Sequence, residues 1–209
     1  MNILKIVNES PVEYSVSRLH QDNYNISFPS ILNDDVLSEF NCHTYTVDET
    51  PTFNPVLEDL KSFFEQRGNN WFLAFEAVPY STDVAIPRLQ DSITSDRWAM
   101  EHNGVEWLDS NYQLWRINTD SNSQLKITSA ACMLVVDPSS KGYSNWKMDK
   151  KVGEDWVRVF RNNTLDEWNE IVDTVSSYIE KCFTAEANAL EKAANGDLSV
   201  TFLSEFEKL

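Results

Sequence analysis

Three histidines, His20, His43 and His102, and three cysteines, Cys42, Cys132 and Cys182, are the side chains of this 209-residue chain best suited to move protons or act as nucleophiles near neutral pH. Catalysis by such groups needs a partner within hydrogen-bond reach and a matched pKa. None of the six stands in a motif that would supply them. The chain has no G-x-S-x-G elbow, no H-E-x-x-H zinc pair, no Walker loop, no paired C-x-x-C and no G-x-G-x-x-G, and five glycines leave little material for a phosphate cradle. Cys42-His43 comes nearest to a nucleophile or metal pair, yet neighbours on a strand project to opposite faces and cannot share one ligand. The carboxylate pairs Asp34-Asp35 and Glu154-Asp155 have the chemistry of a glycosidase acid and base. In so acidic a chain, adjacent carboxylates read instead as solvated surface. No catalytic residue, cofactor ligand or metal ligand is predicted.

The aromatic residues offer a different chemistry. Six of the seven tryptophans (Trp98, Trp107, Trp115, Trp146, Trp156 and Trp168) fall in the second half. Exposed indoles stack on sugar rings, which makes a host-surface glycan-binding module, with a glycosidase as its remote extension, the alternative function. Each of these residues lies in a predicted strand or helix, so core packing is the expected role. Trp107 and Trp115, facing each other across one hairpin, have the best claim to the surface.

Thirty-three acidic against 17 basic residues give a formal charge of −16, spread over both halves, which disfavours nucleic acid and anionic membranes as partners. No apolar stretch approaches the roughly 18 residues of a membrane span, and the N-terminus lacks a signal-peptide core. The expected location is the cytoplasm, with the three cysteines reduced. A 42% hydrophobic content supports a packed core in one or two domains.

The elements follow from periodicity and punctuation. A strand over Asn2–Val7 ends at the turn cluster Asn8–Pro11, and helices follow over Pro11–Gln21 and, capped by Asn33, through Val36, Leu37 and Phe40. A strand spans Cys42–Val47. Leu60–Phe64 and Trp71–Val78 read as a hairpin with Trp71, Leu73 and Phe75 on one face, while a helix over Leu57–Gln66 competes for the first run. Pro79 and Pro87 bracket a polar linker, Tyr80–Arg88. A helix then runs to His102 and stops at Asn103-Gly104. Val105–Leu108 and Tyr112–Ile117 form a hairpin. Asp120 caps a helix bearing Leu125, Thr128, Cys132 and Val135 and stopped at Asp137-Pro138. Asn145–Met148 and Asp155–Phe160 make a second hairpin around a charged loop, Lys147–Glu154. Thr164-Leu-Asp-Glu167 is a capping box opening a helix of about 45 Å, longer than a small domain covers alone, which points Tyr178, Phe183 and Leu190 at a partner. The fold class is α+β: an N-terminal α/β-hairpin module over 1–80 and an α-β-β-α-β-β-α domain over 84–209 ending in the long helix.

Several short motifs occur in order: Arg97-Trp-Ala-Met-Glu101 with Asn103-Gly-Val105, Asn118-Thr-Asp-Ser121 with Ser123-Gln124, Trp146-Lys-Met-Asp149, and Cys182-Phe-Thr-Ala-Glu-Ala187. On these the segment Arg97–Leu203 resembles a domain of unknown function found in tailed-phage proteins encoded near tail fibres. Pro11–Tyr14, Asp22-Asn23, Ser27–Pro29, Leu37–Phe40 and Asn70-Trp71 resemble the module that precedes it in such proteins. The resemblance implies a non-enzymatic protein that binds a phage tail-fibre or baseplate protein, as assembly chaperone or as structural component. It would act in the host cytoplasm during assembly and then in the virion tail. Tyr178, Phe183, Leu190, Trp107 and Trp115 are the candidate interface, for that partner or a second copy. No cofactor is implied.

Overall fold

The computed structural model describes residues 1–29, 32–137 and 145–209. The chain is α+β and divides into two compact units, Met1–Ser81 and Thr82–Leu209. Among the described residues no helix is long and apolar enough to cross a membrane.

The first unit contains β1 (Ile3–Val7), β2 (Ser10–Tyr14), α1 (Val16–Asp22), α2 (Asp34–Ser38), β3 (Cys42–Val47), β4 (Glu58–Arg67) and β5 (Asn70–Pro79). Its sheet has the order β2-β1-β3-β5-β4, in which β3 and β5 run parallel. The helix expected over Pro11–Gln21 is half strand. Asn8 and Glu9 both take positive φ, 49° and 65°, and this tight turn returns the chain along β1, pairing Val7 with Ser10 and Ile3 with Tyr14. The helix begins only after Ser15, whose hydroxyl accepts the Arg18 N–H at 3.1 Å. Leu57–Gln66 is not helical, because β4 and β5 pair along ten residues around the Gly68-Asn69 turn, where Gly68 has φ +64°. Ile3, Leu19, Leu37 and Cys42 form the core of this unit.

The second unit comprises α3 (Thr82–His102), β6 (Val105–Leu108), β7 (Leu114–Ile117), α4 (Ser121–Val136), β8 (Trp146–Val152), β9 (Asp155–Arg161), α5 (Leu165–Ala194) and α6 (Phe202–Phe206). The expected order is present with one short helix added. Two expected loops are regular structure. The linker Tyr80–Arg88 is mostly the first turns of α3, with Pro87 held inside the helix at the loss of one backbone hydrogen bond. The charged loop Lys147–Glu154 is a strand up to Val152. Lys147, Asp149 and Lys151 share the face opposite Met148, which is buried, and only Gly153-Glu154 turn. Pro138, expected to stop α4, lies outside the described residues.

The long helix does not outrun its unit. Its buried residues continue from Trp168 to Ala193, with α3, α4 and α6 packed along it. Ala185, Ala189 and Ala193 recur every four residues, small enough for close helix approach. The chain then folds back so that Phe202 is buried and Lys192 meets Glu205 at 2.7 Å. On the other side of the unit, Trp107, Trp115 and Met148 from the four-stranded sheet interlock with Ile127, Leu134, Trp168 and Ile171 from α4 and α5.

Candidate functional site

Three of the sequence motifs, distant along the chain, converge on one polar cluster within the helical layer. Arg97 on α3 donates through Nη1 to Glu101 one turn on, and through Nε to Glu186 on α5 at 3.2 Å. Gln124 on α4 donates through Nε2 to Glu101 at 3.3 Å and to the Thr119 carbonyl at 2.6 Å. The Thr119 hydroxyl donates to the Glu101 carbonyl and accepts the Gly104 N–H at 3.1 Å. Arg97, Glu101 and Glu186 are each at most 14% exposed, so the charges are largely removed from water and satisfied by one another. The cluster ties α3 to α4 and α5.

It acts as a pin between the helices, its charges paired with one another. The neighbouring Cys182 thiol is pushed up to about 11 by burial and by the negative charge of Glu101, so it stays protonated and a poor nucleophile at neutral pH. The histidines are dispersed and each packs on a ring: His20 on Phe28 at 4.6 Å, His43 on Trp71 at 6.1 Å, His102 on Trp98 at 4.2 Å. Cys42 is buried in the core of the first unit while His43 faces the ring of Trp71, as the alternation of β3 requires.

Beside the pin lies a groove of about 330 Å³ between α4 and α5, floored by Ile127, Val172, Val175 and Ile179 and bordered by Phe183. Phe183 is 48% exposed, and the Arg97 guanidinium sits 4.8 Å from its ring centre. Gln124, Thr128, Ser176 and Glu180 also line this groove, so it is mixed in polarity, and the outer side of α4 adds apolar residues to it. Ile127, Ala130, Ala131 and Leu134 face the core, yet Leu125, Cys132, Met133 and Val136 on the opposite side are exposed. The expected stripe Leu125, Thr128, Cys132 and Val135 is thus the outward one. Helical spacing fits both sides of α4, and contact with the tryptophan-rich sheet selects the other.

A family profile described as a domain of unknown function, DUF4376, matches residues 85–205. The chain belongs to this family. The match runs from α3 into α6, so the DUF4376 domain holds both the pin and the groove, while the first unit lies outside it. No curated protein and no solved structure gives a significant match.

Of the five side chains expected at an interface, Phe183 alone lies on this open surface. Trp107 and Trp115 are 5% and 7% exposed, cross-strand neighbours on the inner face of the sheet, where their area is worth more against α4 and α5 than in water. Tyr178 is a tie inside the DUF4376 domain: its hydroxyl donates to the Met100 carbonyl at 2.6 Å, its ring meets Phe206, and burial raises its pKa to about 12. Leu190 is half-buried. Trp156, also considered for sugar stacking, has Arg116 4.3 Å and Lys151 5.2 Å from its ring centre. The pin residues escaped sequence reasoning because only Arg97 and Glu101, one helical turn apart, carry a local signal.

Proposed function

We propose that this chain is a non-enzymatic tail protein of a tailed bacteriophage that docks on a tail-fibre or baseplate protein, as an assembly chaperone or as a part retained in the virion tail. One observation carries the binding role: α4 is apolar on two opposite sides. A helix buried on one side should be polar on the other, and α4 instead exposes Leu125 at 68% and Val136 at 86%, with Lys126 its only charge. The Phe183-bordered groove lengthens that surface. The tail-fibre assignment is supported by the motif order in Arg97–Leu203.

The test is co-expression of the chain with the fibre polypeptide. The wild type is expected to co-purify with the fibre and raise its yield of soluble trimer, and Leu125→Asp with Met133→Asp to lose both effects while circular dichroism stays unchanged. A fibre that trimerises equally well alone removes the chaperone form, and purified virions lacking the chain by mass spectrometry remove the structural form.

A further inference from the structure

The outer face of the second sheet takes no part in the groove or the pin. Its register lays a ladder of alternating charge across the four strands: Glu106 opposite Arg116, Arg116 opposite Asp149, Asp149 opposite Arg158. Arg158 comes last. It stands on β9, the end strand of the order β6-β7-β8-β9, and no strand pairs with its outer edge among the described residues. On the same face, two residues to either side, are Trp156 and Phe160, the latter 67% exposed. Lys147, opposite Phe160, makes no ion pair among the described residues, and Lys151 lies opposite Trp156. The face therefore carries four cations against two carboxylates on a chain of net charge −16.

Edge strands are usually blunted by proline, a bulge or outward lysines on the edge itself. β9 has no proline, bulge or lysine, and its charges are Asp155, Arg158 and the inward Arg161. It pairs regularly with β8 over seven residues, and Arg161, which could have shielded its end, is drawn inward to Asp109 and Glu167.

We propose that β9 is a docking edge for an extended segment of a partner polypeptide, which adds as a fifth strand. It would place an acidic residue opposite Arg158 and apolar residues two positions to either side, against Trp156 and Phe160. The acidic residue continues the sign alternation by one step, and the outer-edge backbone groups of β9, which no strand pairs among the described residues, supply the strand hydrogen bonds. A second copy is the poorer occupant, since a two-fold contact between β9 edges sets two cationic faces side by side. A nucleic acid would meet the repulsion of the remaining acidic surface and leave the edge amides without partners in register. The proposal rests on the reading of the chain as a protein-binding tail component and specifies a surface and a sequence pattern for it.

Fluorescence anisotropy with the full-length chain tests it, using the labelled heptapeptide Thr-Val-Thr-Glu-Thr-Val-Thr, the same peptide with lysine at its centre, and a thymidine oligonucleotide. The glutamate peptide is expected to bind about tenfold tighter than the lysine peptide. Raised salt should narrow that difference, Arg158→Glu should invert it, and Phe160→Ser should weaken both peptides. Backbone amides of β9 should gain protection from hydrogen exchange on binding. Equal binding of the two peptides, no binding of either, or tighter binding of the oligonucleotide overturns the proposal. A fibre chain that co-purifies with the wild type and with Arg158→Glu alike overturns this surface while leaving the tail-protein reading standing, whereas loss of co-purification by the wild type itself removes that reading.

Discussion

Arg161→Met should be among the most damaging single substitutions in the second unit. The guanidinium carbon lies 4.5 Å from the Trp115 ring centre and 5.4 Å from that of Trp107, while its nitrogens donate to Asp109 at 3.1 Å and to Glu167. Asp109 has a side chain 5% exposed. Burial by itself would raise its pKa, but hydrogen bonds from Gln113, Trp115, Asn111 and Arg161 more than offset this and hold it below the ordinary carboxylate value of 3.8. Removing the arginine leaves a buried charge without its cation, a change that costs about 3–5 kcal/mol. The three remaining N–H donors to Asp109 reduce the cost, and loss of two ring contacts adds about 1 kcal/mol. We expect about 3 kcal/mol, or a shift of roughly 1.5 M in the urea midpoint at a slope of about 2 kcal/mol/M. Tryptophan fluorescence is the assay, because six of the seven indoles lie in Thr82–Leu209. A lowered folded pKa means that the contribution of Asp109 is present at neutral pH and is lost as pH falls below about 4. Asp109→Asn should therefore flatten the acid limb of stability, and Arg161→Met should cost at least about 1 kcal/mol less in that background. A cost under about 1 kcal/mol, or an equal cost in both backgrounds, refutes the argument.

Gly104 and Gly153 separate two causes of glycine dependence by the same urea assay. At Gly104, with φ +86°, an added Cβ would lie 2.8 Å from the Ile117 carbonyl oxygen, so Gly104→Ala should cost about 2 kcal/mol or more; at Gly153, with φ +60° and open space, Gly153→Ala should cost only about 1 kcal/mol. A thiol reagent on the native chain should modify Cys132, which is exposed, and leave Cys42 and Cys182 until denaturant is added, since both are buried and burial raises both pKa values. Rapid modification of Cys182 would contradict the packing of α3 on α5, and rapid modification of Cys42 the core of the first unit.

Much of the fold is written in local signals. Thr164 and Glu167 form the capping box that their spacing predicts, Asp120 and Asn33 cap the helices they precede, and Asn103-Gly104 ends α3. Where the reading failed, a general rule met a local exception. Pro11 suggested a helix start, but the turn formed by Asn8 and Glu9 made it a strand residue. Pro87 suggested a linker, but packing of Leu89 and Ile93 carries the helix through it. Lys147 to Glu154 looked like a loop by charge alone, although the buried Met148 between Lys147 and Asp149 marks a strand wet on one side.

The surface was less legible than the fold for a reason that α4 and α5 make plain. A stripe of apolar residues shows that a helix buries one side, and on α4 two such stripes compete, so spacing cannot say which meets the core and which stays exposed. That choice is made by groups far away: the sheet that presents Trp107 and Trp115, and the pin in which Arg97 holds Glu186, 89 residues along the chain. With Arg97 pairing both α3 and α5, and Gln124 bonded to Glu101, α4 is fixed in one rotation about its axis. Loss of Arg97 would leave Glu101 and Glu186 buried without their cation, and the core contacts of Ile127, Ala130 and Leu134 would still hold α4 in its rotation, so the cost falls on stability.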